Sequence, residues 1–168
     1  MMLTNERGLT LAEILVAVAV IGLGLVGLAV VIPVSSYGVQ EGSQLSTATF
    51  LAEQMIERAR AAAWTSTPAP GSDCLGVSAG NAAPVPVAPA TCNGSAVTQF
   101  PDEANVTGYT QYARTVRVTD CGATPCAGTT DATMRLVAVT VTYAPISVRG
   151  GQSGSTKTVQ LEWLVSQK

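Results

Sequence analysis

Nineteen consecutive residues, Ile14 to Ile32, contain no charged side chain, and the apolar character continues to Val34. At about 1.5 Å per residue this run makes a helix of roughly 28 Å, close to the thickness of a bilayer core. A short polar leader, Met1 to Arg7, and then Gly8 come before it, and one acid, Glu13, stands near its start. A secretory signal peptide has a shorter apolar core and is cut after it, at small residues. Here the leader lies ahead of the apolar run, so the order is reversed. An ordinary single-span anchor remains open at this point.

Glu13 narrows the choice. Acids inside a membrane helix are costly and tend to have partners, although a position near the end of the span lowers the cost and allows the side chain to snorkel. Cleavage after Gly8 places a new amine on Leu9, four residues before the carboxylate. The amine of another copy can then pair with Glu13 in lipid, and that pair sets the axial register of a helical stack.

The stretch Gly8-Leu9-Thr10-Leu11-Ala12-Glu13 resembles the cleavage and methylation motif of type IV prepilins and type II secretion pseudopilins. The resemblance implies that a prepilin peptidase cuts between Gly8 and Leu9 and N-methylates Leu9. It also implies that Glu13 acts in subunit docking with a neighbour's Leu9. Ala12 departs from the larger aliphatic residue usual in the family. The similarity covers about the first third of the chain. It implies a type IV pilin-like α+β fold, a long N-terminal transmembrane and spine helix packed on a small antiparallel β-sheet. The implied partners are other pilins or pseudopilins, met through their N-terminal helices, and an inner-membrane assembly platform.

The 168 residues suit one domain plus an anchor. Net charge is −2, and loss of Glu6 and Arg7 with the leader leaves it there. No clustered basic stripe suggests nucleic acid as a partner, and Arg114, Arg117 and Arg135 read as solvated strand residues. The chain has no His, which removes the commonest general base and metal ligand. Arg7 and the α-amine precede the span, and no Lys or Arg follows until Arg58. The positive-inside rule therefore puts the leader in the cytoplasm and the rest in the periplasm.

The four cysteines, Cys74, Cys92, Cys121 and Cys126, fall in this exported part, where disulfides persist. Three pairings are possible. The local one, Cys74–Cys92 with Cys121–Cys126, is favoured because each bridge closes a loop rich in Gly, Pro or Ala. A zinc site lacks both a CxxC pair and a His, so neither a metal nor a cofactor is expected.

Taken in order, the chain divides into a leader (1–8), a membrane and filament-core segment (9–34), an amphipathic spine helix (35–64), a Pro/Gly-rich variable loop (65–108) and a sheet (109–168). Gly22, Gly24 and Gly27 weaken helix propensity, and Pro33 kinks or loosens the helix just upstream. Two readings of this stretch stay open. One is ordinary membrane-helix composition; the other is a segment that melts on assembly, as related pilins do near a comparable Pro.

In the spine, Leu45, Ala48, Ala52, Met55, Ile56, Ala59 and Ala63 form an apolar stripe, opposite Gln44, Glu53, Gln54, Glu57, Arg58 and Arg60. Residues 51–60 and the Gly-rich end of the span are similar to minor pilins of the PilV kind and to the pseudopilin GspI. From Thr65 to Pro101, six prolines among Gly, Ser, Ala and Asn exclude a helix. That segment is either a variable surface region or a tolerated low-complexity excursion. Period-2 alternation then marks strands at Tyr109–Thr119, Ala132–Tyr143 and Lys157–Val165, with a flexible loop at Gly150–Ser155 before the last.

Major pilins often close their C-terminal region with a disulfide whose second Cys lies near the end. Here the last is Cys126, which favours a minor pilin or pseudopilin. Such a subunit is non-catalytic, and it serves priming or the tip of a type IV pilus, a secretion machine or a DNA-uptake machine. Two rivals stand beside it: a membrane-tethered adhesin or binding domain, and an anchored enzyme. The enzyme lacks a GxSxG motif and a paired-acid constellation. Asp102, Glu103 and Asp120 read as loop acids without EF-hand spacing.

Overall fold

The computed structural model describes residues 10–65, 73–145 and 155–167. The expected cleavage site, Gly8 and Leu9, lies outside the described residues, as does most of the Gly150–Ser155 loop. The fold is α+β, in element order one helix and then three strands. Helix α1 covers Leu11–Ala61, and β1 covers Tyr112–Asp120. Strands β2 and β3 cover Met134–Tyr143 and Lys157–Ser166. The chain forms two units, Met1–Glu41 and Gly42–Lys168.

In the first unit every described side chain up to Gln40 is exposed, Leu11 and Leu23 to 77 % and 76 %. A helix apolar on every side has no face suited to water, and it suits surroundings that are apolar all round. This helix is long and apolar enough to cross a membrane. It runs through Pro33 as one element, since a single missing N–H does not end a helix held by its neighbours' bonds. Two residues beyond, the Ser35 hydroxyl donates to the Ile32 carbonyl at 3.0 Å.

In the second unit the last part of α1 packs on the sheet. Its buried side chains are Gln44, Ala48, Leu51, Ala52, Met55, Ile56 and Ala59, a spacing of three and four that keeps them on one face. The expected stripe is corrected at its edges. Leu45 is 50 % exposed while Gln44 is buried, Leu51 joins the core, and Ala62 rather than Ala63 is covered once the helix has ended at Ala61.

The sheet is a β1-β2-β3 antiparallel meander. Register runs from Tyr112↔Tyr143 to Asp120↔Arg135 between β1 and β2, and from Met134↔Ser166 to Tyr143↔Lys157 between β2 and β3. Val116, Val118, Val137, Val139 and Val141 all face α1 with no exposed surface. Each such side chain contributes about 1.5–3 kcal/mol by leaving water.

Two arginines occupy that same inner face, which corrects their reading as solvated. Arg114 and Arg135 are only 2 % and 3 % exposed. Arg114 donates from Nε to Glu103 at 2.7 Å and from Nη1 to the Leu51 carbonyl of α1 at 3.0 Å. Arg135 donates to Asp73 Oδ1 at 2.8 Å and to the carbonyls of Gly76 and Thr65, and it lies 4.4 Å from the Trp64 ring centre. A buried guanidinium needs a paired acid and filled donors, and both have them. Only Arg117 points outward, paired through two bonds with Asp102 that raise its pKa further. The expected loop acids Asp102 and Glu103 are thus the arginines' partners.

Gly76 closes the Asp73 turn. Its φ of +69° is in the left-handed region, its N–H donates to Asp73 Oδ1, and an added Cβ would lie 2.6 Å from the Val85 carbonyl oxygen. From Asp73 on, where it is described, the Pro-rich segment is neither purely surface nor a loose excursion. Leu75 and Phe100 have no exposed surface and belong to the core, and short bridges at Val77↔Val85 and Glu103↔Arg114 tie the segment down. Paired backbone groups let a segment without helix or long strand enter a core.

Candidate functional site

At the start of α1, Thr10 and Glu13 form a reciprocal cap. The Glu13 N–H donates to Thr10 Oγ1 at 3.3 Å, while the Thr10 N–H and hydroxyl both donate to Glu13 Oε2 at 3.0 Å. This is a capping box, which satisfies N–H groups that no helical carbonyl can reach. The Thr-x-x-Glu spacing carries the signal for it in the sequence, where Glu13 is otherwise read only as an intermolecular partner. Both Glu13 bonds end on Oε2. Among the described residues Oε1 accepts none.

Beyond the cap, α1 presents a continuous apolar surface. At Gly22, Gly24 and Gly27 nothing lies within 4 Å of an added Cβ, so another helix can approach the backbone closely there. Pro33 lies within the same helix.

In the second unit Cys74 is joined to Cys92 and Cys121 to Cys126, with Cα–Cα distances of 4.5 and 5.1 Å. Cys74 and Cys92 are buried beside Leu75, so this bridge holds the Pro-rich segment on the core. The second bridge spans the β1–β2 connection. Asp120 Oδ1 accepts from the Gly122 N–H there, and Asp131 accepts from the Thr133 N–H and hydroxyl, which holds its carboxyl below the usual value of 3.8. No group of three or more Cys, Asp or Glu suited to a metal occurs among the described residues.

The predicted site residues are therefore gathered in two places. The cysteines meet in pairs within the head, and Glu13 stands alone with Thr10 at the helix start. Asp73 and Arg135, 62 residues apart, are a pairing that sequence reasoning did not identify.

Residues 3–29 match the prokaryotic N-terminal methylation motif. No curated protein and no solved structure matches the chain. The chain carries a prepilin-type N-terminal methylation motif, and with it a long apolar helix and a small antiparallel sheet, which fits the type IV pilin and pseudopilin family. Proteins with this motif are structural subunits, processed by a peptidase and assembled with other pilins.

Proposed function

We propose that the protein is a non-catalytic minor pilin or minor pseudopilin, cut between Gly8 and Leu9 by a prepilin peptidase, N-methylated on Leu9, and assembled into a type IV pilus or pilus-like filament. The observation that carries this reading is the methylation motif running directly into a helix with apolar side chains exposed on every side. Before assembly the 9–34 segment anchors the chain in the inner membrane, with the head in the periplasm. Afterwards the same side chains pack against neighbouring helices, so one apolar surface serves lipid and filament core alike. Pro33 and the nearby glycines supply a place where the helix can loosen as subunits slide into register.

Docking uses the second oxygen of a carboxylate whose first closes its own helix. Glu13 Oε2 holds Thr10, and Oε1 takes the amine of a neighbour's Leu9. The subunit acts in priming or at the filament tip, and its partners are other pilins and the inner-membrane assembly platform.

The test is intact-mass and N-terminal analysis of membrane-extracted protein made with and without prepilin peptidase. A chain that begins at N-methylated Leu9 only when the peptidase is present supports the proposal. A chain still beginning at Met1, or cut after Val34, overturns it.

A further inference from the structure

The two edges of the sheet differ. The outer edge of β1 is covered: Ser78 donates its N–H to the Val118 carbonyl and accepts the Val118 N–H on its hydroxyl, and Glu103 and Arg114 exchange both backbone bonds. Among the described residues nothing pairs with the far edge of β3. Between Thr158 and Ser166, among the described residues, backbone pairing runs to β2 alone. Natural edge strands are protected by being short, bulged, charged or interrupted by Pro, and of these β3 has only the charges of Lys157 and Glu162. Strand β3 keeps an unbroken ten-residue register with β2 and contains no Pro.

The inner face of β3 is also unfinished. Trp163 is 47 % exposed and Leu161 only partly covered, whereas every inward valine of β2 is fully buried. Between β3 and α1 lies a groove of about 400 Å³ lined by Glu53, Ile56, Glu57, Leu161, Glu162 and Trp163. Its floor is apolar and its rim acidic. Against the carboxylates of Glu53 and Glu57 stands one guanidinium, Arg60, which pairs with Glu57 at 2.7 Å and lies 5.1 Å from the Trp163 ring centre, while the Glu162 carboxylate accepts from Gln160 on the opposite face of β3. Glu53 makes no ion pair among the described residues.

We propose that the far edge of β3 is a docking edge for an extended segment of another protein with basic side chains at alternate positions. The segment adds a fourth strand by backbone pairing, as in β-strand addition. Its groove-side Lys or Arg stems lie over Leu161 and Trp163, and their charged ends reach Glu53 and Glu57. A second copy of this chain is a poorer occupant, because it brings the same acidic rim against itself. The inference concerns the head and is independent of N-terminal processing, so its failure leaves the filament reading untouched.

The test uses the full chain in neutral detergent with two decapeptide probes, one alternating Val and Lys and the other Val and Glu. Amide hydrogen exchange reads the site, and titration reads the affinity. The Val–Lys peptide is expected to slow exchange at residues 158–166, and the Val–Glu peptide to leave it unchanged. The exposed pair of substitutions Glu53→Gln and Glu57→Gln, which leaves the core untouched, should weaken the Val–Lys peptide by about tenfold or more, consistent with two charge-assisted contacts. Equal effects of the two peptides, or no slowing in β3, overturn the proposal. So does slowing at 158–166 that appears without peptide as the chain dimerises, because it assigns the edge to a second copy.

Discussion

Arg135 shows how much a single side chain can decide. Its period-2 position puts it on the face of Val137, Val139 and Val141, yet Arg is among the residues least often buried without a partner. The conflict is resolved by Asp73, whose side chain is 1 % exposed and whose Oδ1 meets Arg135 Nη1 at 2.8 Å. Removing one member of such a pair strands the other charge in the core. Arg135→Met is therefore expected to cost about 3–5 kcal/mol, and addition of Asp73→Asn to return part of that loss. Urea unfolding of the detergent-solubilised chain, followed by the fluorescence of Trp64 and Trp163, measures both, since Trp64 stacks on Arg135. Equal stability of the single and double variants would show that the pairing is not what holds Arg135. The inner face of β1 and β2 was legible from alternation. The identity of the buried partners was not, because Asp73 reaches Arg135 only through a turn that Gly76 makes possible.

At the level of elements, the strands and the helix follow from local periodicity, and their observed bounds differ from expectation by three residues or fewer at the ends of β1, β2 and α1. The connecting segment is different. Its prolines and glycines predict no regular element, and correctly so, but local composition gives no signal that Leu75 and Phe100 enter the core. The two disulfides should reflect this division of labour. Cys74–Cys92 closes 18 residues and Cys121–Cys126 closes 5. Loop entropy makes the longer bridge worth about 3 kcal/mol and the shorter about 2 kcal/mol. Replacing each pair by alanine and measuring unfolding midpoints should show the larger loss for Cys74–Cys92, with added proteolysis in residues 73–111. A larger loss from the short bridge would mean that the segment is held by its core contacts alone.

For the whole molecule, the question is whether Glu13 serves its own helix, its neighbour or both. Thr10→Ala removes the hydroxyl of the cap and leaves the carboxylate, while Glu13→Gln keeps an acceptor at the cap and removes the charge. If docking depends on the charge, Glu13→Gln should reach the membrane and be missing from sheared filaments, with Thr10→Ala present in them. Quantitative blotting of the two fractions measures this, and equal incorporation of both variants would leave Glu13 with its capping role only. By itself the sequence determined the span, the motif at its head and the strand alternation, because each depends on residues close together in the chain; for the cysteines it favoured the local pairs and left three pairings open. Tertiary structure alone decided that Arg114 and Arg135 are buried, that Leu75 and Phe100 fill the core, and that the sheet ends on β3, whose far edge has no backbone partner among the described residues. Burial of the two arginines depends on groups about 60 residues apart meeting in a low-dielectric interior, where a charge stays only if its partner arrives with it.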